Sequence, residues 1–180
     1  MMWVSLDIKT ANSDPSSICE IGIGVFENDR LIQTFRNYFD PGTSFDPFYT
    51  DNIHGISEEM VEGNGPIEYS YDEIRELLVN KIVVHHSKLI RQGFLKALEN
   101  YDLAIFPIFW LDLELVAGIT WKEFSEEGCG LQELSSFLKI EIGYPDALSY
   151  AVAAGSIVIE ACKKSGIGVS ELLNSVKKYE

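Results

Sequence analysis

An α/β domain built on a mixed sheet is predicted by three observations. Three β-rich runs come first, helix-like and strand-like segments alternate after them, and no linker, internal repeat or low-complexity tract divides the chain. With 180 residues, 46% of them apolar and 23% charged, the sequence supplies core for one domain over 1–180 and is cramped for two.

Trp3 to Ile8 reads as the first strand, with Val4, Leu6 and Ile8 on one face and Ser5, Asp7 and Lys9 on the other. Ile18 to Phe26 and Leu31 to Phe39 are the next two, joined by the hairpin-type connection Glu27-Asn28-Asp29-Arg30, so the sheet starts antiparallel. A long irregular segment runs from Asp40 to Pro66, broken by a short helix that Ser57 caps. Ser70-x-x-Glu73 has the capping-box form and predicts a helix to about Asn80. Ile82 to His85 reads as a short buried strand and Ser87 as the cap of a helix to Asn100. In that helix Ile90, Phe94, Ala97, Leu98 and Tyr101 form a core-facing stripe. Ile105 to Trp110 is a further strand, with short helices at Asp112 to Ala117 and Leu131 to Leu138. Asp146 caps a long, nearly all-apolar helix that stops at Gly166, and Ser170 caps a last short one.

Fourteen Lys+Arg against 28 Asp+Glu give a formal net charge of −14, which disfavours binding to phosphate backbones unless the few cations cluster. The longest apolar run, Leu103 to Leu111, contains Pro107 and is far short of the roughly 20 residues that cross a bilayer. The N-terminal residues lack the pattern of a secretion signal, and the expected location is cytoplasmic. Cys19, Cys129 and Cys162 have neither disulfide-framework nor zinc-site spacing and read as reduced packing thiols.

Several strings carry a resemblance. They are Leu6-Asp7-Ile8-Lys9-Thr10, Phe45-Asp46-Pro47-Phe48, His54-Gly55-Ile56-Ser57, Val83-Val84-His85-His86, Leu131-x-x-Leu134, and Pro145-Asp146-Ala147-Leu148-Ser149-Tyr150-Ala151. In this order and spacing, from about Trp3 to Ala161, the chain resembles the DEDDh class of 3′–5′ exonucleases, of the RNase T and polymerase III proofreading-subunit type. The resemblance implies a ribonuclease H-like fold and hydrolysis of the terminal phosphodiester with two metal ions held by four carboxylates, beside a general-base histidine.

Carried over position by position, the resemblance places those roles poorly. Asp7 matches the first carboxylate, but Lys9 stands at the second, Ile90 at the helix carboxylate, Pro145 at the histidine and Tyr150 at the last carboxylate. A one-residue shift does not help, because residues 87–97 contain no Asp or Glu and no His follows His86. One carboxylate is too little to hold Mg²⁺ or Mn²⁺ against water, so the expectation is a vestigial site with no metal or other cofactor.

Other residues have two readings. Lys9 either pairs with Asp7 in place of a metal or points to solvent at a strand end. Tyr150 either stacks a nucleobase or, with Ala147, Ala151 and Ala154 around it, fills the core. His54, Gly55 and Ile56 match a segment that in the family borders the terminal nucleotide and are the candidate nucleotide contacts. Adjacent strand residues point to opposite faces, so His85-His86 is structural. Lys88 and Arg91 either join Lys9 in a basic patch or are ordinary solvated charges.

The function expected is a catalytically inactive exonuclease homologue acting through a protein partner or a nucleotide. Its rival is an active metal-dependent exonuclease on DNA or RNA, with Mg²⁺ or Mn²⁺ bound by Asp7 and relocated ligands such as Asp112, Asp146 or Glu20. A third reading, a structural subunit of a homodimer or larger complex, rests on the aromatics Phe35, Tyr38, Phe39, Phe45, Phe48 and Tyr49.

Overall fold

The structure, a computed structural model, describes residues 1–125 and 128–179. In chain order its elements begin with strands β1 (Met2–Thr10), β2 (Ile18–Glu27) and β3 (Arg30–Tyr38), followed by helices α1 (Pro47–Tyr49), α2 (Glu58–Val61) and α3 (Tyr71–Leu78). Then come β4 (Ile82–His85), α4 (Lys88–Asn100), β5 (Phe109–Asp112), α5 (Leu113–Thr120), α6 (Leu131–Leu138), α7 (Ala147–Ser165) and α8 (Val169–Val176). The five strands form one sheet in the order β3-β2-β1-β4-β5, antiparallel across β3-β2-β1 and parallel across β1-β4-β5. Asn28 and Asp29, both at positive φ, close the β2–β3 hairpin, as a two-residue turn with the twist of its strands requires.

Both sheet faces are covered. Val4, Leu6 and Ile8 of β1 pack with Ile74 and Leu78 of α3 and Ile90, Phe94 and Leu98 of α4. Trp3, on the opposite face, packs with Ile157 and Val158 of α7 and Leu172 of α8. The polar face of β1, Ser5, Asp7 and Lys9, therefore lies buried beneath α7, and this placement builds the site. The carboxyl ends of β1, β4 and β5 open on one rim, where sites in α/β folds gather.

Glycines let α7 approach closely. A Cβ on Gly22 of β2 would sit 2.2 Å from the backbone of Ala147 and Leu148, and one on Gly155 of α7 2.2 Å from the Phe26 ring, which stacks on Trp3 at 4.4 Å. Gly22→Ala is thus expected to push the α7 N-terminus off β2 and cost about 3 kcal/mol. Urea unfolding measures this; an unchanged midpoint would mean that helix and strand are not in contact there.

Three local expectations are corrected. Ser70 makes no capping bond; α3 continues from a 3₁₀ turn over Ile67–Ser70, and the Ser70 hydroxyl accepts instead from Asn37 Nδ2. Gly168 caps α8, its N–H donating to Glu171 Oε2, and Ser170 lies inside the helix. The last strand runs over Phe109–Asp112 and not Ile105 to Trp110; Pro107, which has no N–H to give a ladder, lies outside it, its carbonyl accepting from Asn80 N. Among the aromatics of the interface reading, Phe35 and Phe39 are core, while Phe48 is exposed. All three cysteines are free, and among the described residues no helix is long and apolar enough to cross a membrane.

Candidate functional site

Asp7 and Lys9 share one face because side chains repeat every two residues on a strand, and α7 closes over them. Lys9 Nζ donates to Asp7 Oδ2 at 2.7 Å, and both side chains are only 7% exposed. The same ammonium lies 3.6 Å from the centroid of the Tyr150 ring, in the first turn of α7. A buried ammonium between a carboxylate and an aromatic face is held by charge on one side and ring quadrupole on the other. Burial pushes the Asp7 carboxyl up to about 6 against the pull of Lys9, with Glu20 and Asp146 adding to the rise. Of the two readings of Lys9, the structure gives the ion pair, and Tyr150 is neither purely core nor free.

Glu20 on β2 pairs across from Lys9 and is fully buried. Its Oε1 accepts from Arg36 Nε at 2.6 Å, and its Oε2 accepts from the backbone N–H of Ala147 at 2.8 Å. Asp146 caps the same helix through Ser149 N at 2.7 Å and lies 3.6 Å from Arg36 Nη1. Two carboxylates thus hold the α7 N-terminus, the arrangement its dipole favours, and Arg36 joins them. Arg36 was not singled out in the sequence. A charged pair at Glu20 and Arg36 on two adjoining strands, the first within an apolar run, was the available signal.

The remaining candidate positions are dispersed. Ile90 is 7% exposed and belongs to the core beside Phe94; Pro145 is exposed ahead of the α7 cap. His54 ends a π-helical turn that Gly55 closes at φ 74°. Its Nδ1 accepts from Ile56 N–H at 3.0 Å, so the proton sits on Nε2, which donates to the Thr10 carbonyl at 3.0 Å. Both ring nitrogens are spent on tying this loop to the end of β1, and burial keeps the His54 pKa low. What His54, Gly55 and Ile56 offer a ligand is a wall of a cavity of about 390 Å³ shared with Arg36, Tyr38, Met60, Tyr144 and Asp146.

Nor do the other acids and histidines converge. Asp112 caps α5 through Glu114 N and Leu115 N. His85 Nδ1 lies 3.0 Å from the Ser87 carbonyl, while His86 Nε2 accepts from Leu131 N at 3.0 Å. Lys88 and Arg91 line a separate cavity with His85, Gln92 and Asp112, and Lys9, paired and buried, is not part of their patch. Among the described residues no group of three or more His, Cys, Asp or Glu is arranged to hold a metal ion.

Burial lowers the His86 pKa to about 4. The unfolded chain takes up that proton near 6.5, so stability falls as pH drops between 6.5 and 4. Asp7 acts oppositely: its folded carboxyl is protonated near 6 and its unfolded one near 3.8, so falling pH through that window favours the fold. His86→Asn, which retains an acceptor for Leu131 N–H, is expected to remove the loss and keep the gain. Its urea midpoint relative to the parent should rise from pH 7 to pH 4.5; a constant difference would refute the assignment.

The chain and its fold match known proteins. The family model described as Exonuclease, RNase T, matches residues 4–105. The chain belongs to the RNase T exonuclease family. It is 30% identical over 167 residues to the 3′–5′ exonuclease DinG of Bacillus subtilis strain 168, covering 90% of this chain and 18% of the relative. It is 26% identical over 133 residues to a PolC-type DNA polymerase III of Streptococcus suis, covering 71% of this chain and 9% of that protein. The chain therefore spans less than a fifth of the length of these relatives. The fold is that of exonuclease X in complex with 5′ overhanging duplex DNA, at a TM-score of 0.77 and 18% identity over 97% of this chain and 99% of that one. Escherichia coli exonuclease I in complex with a dA16 oligonucleotide gives 0.70 at 14% identity, over 97% and 42%. The ribonuclease H-like, exonuclease-type fold implied by the sequence resemblance is therefore the fold of the molecule.

Proposed function

We propose that this family member is noncatalytic and works by binding, with its two-metal centre replaced by the Lys9–Asp7 ion pair. One observation carries the reading: the Lys9 ammonium donates to Asp7 Oδ2 at 2.7 Å inside the protein, so a fixed monovalent cation takes the only acid that the family's catalytic pattern retains. The donor set does not fit divalent ions, which need several hard oxygens. Ile90 and Tyr150 bring an alkyl chain and a ring where the family's pattern has carboxylates.

Relocated ligands fare no better. Both Glu20 oxygens are bonded, to Arg36 and Ala147, and Asp112 and Asp146 cap helices. The ligand in this reading is a nucleotide or a protein partner. Among its fold neighbours, exonuclease X forms a complex with 5′ overhanging duplex DNA and exonuclease I one with SSB-Ct, and the cavity beside His54, Gly55 and Ile56, with Arg36 in its wall, suits a nucleotide better than a long polyanion in a chain of net charge −14. Free thiols at Cys19, Cys129 and Cys162 suit a cytoplasmic setting.

The test is Mn²⁺ calorimetry beside a hydrolysis assay on single-stranded DNA and RNA oligonucleotides in one buffer. The expected result is no heat of specific binding and no release of mononucleotides. Two bound metals with metal-dependent release would establish the active, relocated-ligand reading instead.

A further inference from the structure

β5 ends the sheet on its side, and among the described residues no strand lies beyond it. Phe109 N–H donates to the Lys81 carbonyl at 3.0 Å, so by the alternation of a strand the N–H and C=O of Trp110 and the N–H of Asp112 turn to the open side. Sheet edges are usually blunted by bulges, charges or a covering element. The opposite edge carries a bulge, where the pairing of β2 with β3 shifts register between Val25 and Phe26. β5 pairs with β4 without a shift, and along it Ile105 and Phe109 are 57% and 48% exposed.

Cations gather at the carboxyl end of this edge. Lys88 and Arg91, both exposed, lie at the start of α4, where the helix dipole favours acids and the sequence supplies none in the first turn. Arg91 lies 5.9 Å from the centroid of the Trp110 ring. With Asp112, the last residue of β5, the two cations line a cavity of about 470 Å³. Among the described residues neither cation forms an ion pair, and Asp112 Oδ1 is spent capping α5. In a chain with 28 acids against 14 Lys and Arg, two such cations beside an apolar strand edge invert the prevailing surface charge.

We infer that the open edge of β5 docks an acidic, extended segment of a partner protein, which adds a sixth strand to the sheet and lays its carboxylates over Lys88 and Arg91. Strand addition uses each feature. Main-chain bonds to Trp110 and Asp112 supply affinity, the apolar rim of Ile105 and Phe109 receives alternate side chains, and the cations fix register and sign. Pro107, without an N–H, limits the pairing at the amino end. A phosphate chain would meet the cations but leave the backbone groups and the apolar rim unused. An isologous second copy would bring the same cations to the same edge, like charge toward like. The surface does not depend on the noncatalytic reading: its failure would leave the Lys9–Asp7 pair as it is, and hydrolysis by the protein would leave this edge open.

The experiment is an amide-resolved NMR titration of the whole chain with a blocked peptide that alternates glutamate with valine. Saturable shifts are expected at Trp110 and Asp112, with slowed hydrogen exchange at the Trp110 amide. The counterpart alternating lysine with valine should not bind. A glutamate–valine peptide N-methylated along one edge keeps its charge but cannot complete the ladder, and it should bind about tenfold more weakly. Lys88→Glu with Arg91→Glu is expected to weaken the parent peptide about tenfold, while Lys164→Glu, far along the chain on α7, leaves it unchanged. Because the double substitution puts acids at the α4 N-terminus, its urea midpoint should not fall, which separates lost docking from lost folding. Four results each overturn the proposal: equal binding of the N-methylated peptide, tighter binding of a short oligothymidylate at the same amides, concentration-dependent shifts there without peptide, or no shifts at millimolar peptide.

Discussion

Lys9→Met destabilises the protein by about 3–5 kcal/mol at pH 8, the cost of leaving one member of a buried ion pair without its partner. Methionine keeps the length and apolar stem of lysine, so packing against Tyr150 changes little and the lost charge dominates. Asp7 then sits ionised beneath α7 with Glu20 and Asp146 as its electrostatic neighbours, both of which already push its carboxyl up. The variant escapes by protonating Asp7, so its pKa climbs above the present value of about 6 and the deficit shrinks as pH falls from 8 to 5. The double variant Asp7→Leu with Lys9→Met, which removes both charges, should return to within about 1 kcal/mol of the parent or exceed it. Urea unfolding at the two pH values measures all three. A single variant equal to the parent at pH 8 would sink the ion pair, because a solvated ammonium contributes almost nothing.

That pair also marks where sequence reading stopped. The alternation in Trp3 to Ile8, the caps at Ser87 and Asp146 and the stop at Gly166 depend on neighbours within a few residues, and the structure reproduces them. The stripe carrying Ile90 was legible for the same reason, and Ile90 lies in the core. Whether Lys9 meets solvent or Asp7 depends on α7, which arrives some 140 residues later, so strand periodicity alone fits either outcome. His54 is similar: its bond to the Thr10 carbonyl crosses 44 residues, and only the folded chain shows its ring nitrogens already used. Arg36 escaped notice because a strand charge reads as solvent-facing until its bond to the buried Glu20 is seen.

The remaining large effect comes from rebuilding the centre. If the proposed noncatalytic reading holds, Lys9→Glu, Ile90→Asp, Pro145→His and Tyr150→Asp together are expected to confer metal-dependent release of mononucleotides that the parent lacks. All four are required, since each supplies a role that the family resemblance assigns and no neighbouring residue duplicates. The scaffold favours the attempt, because Glu20, Arg36 and Asp146 already fix the α7 N-terminus, beside which 145 and 150 sit. Stability opposes it. A carboxylate at position 90 enters the core beside Phe94 and, with new acids at 9 and 150 around Asp7, leaves several buried like charges without cations. The variant should therefore be marginal in chelator and regain stability with Mn²⁺, by about 2.7 kcal/mol at a hundred times its dissociation constant. Thermal unfolding with and without metal reads that linkage independently of turnover. A variant that gains the metal-dependent stability but hydrolyses nothing would show that the ligand positions are right and the general base is misplaced, since binding needs the acids alone. Hydrolysis by Lys9→Glu alone would instead show that most of the centre had survived elsewhere in the chain, with the ammonium as its single block.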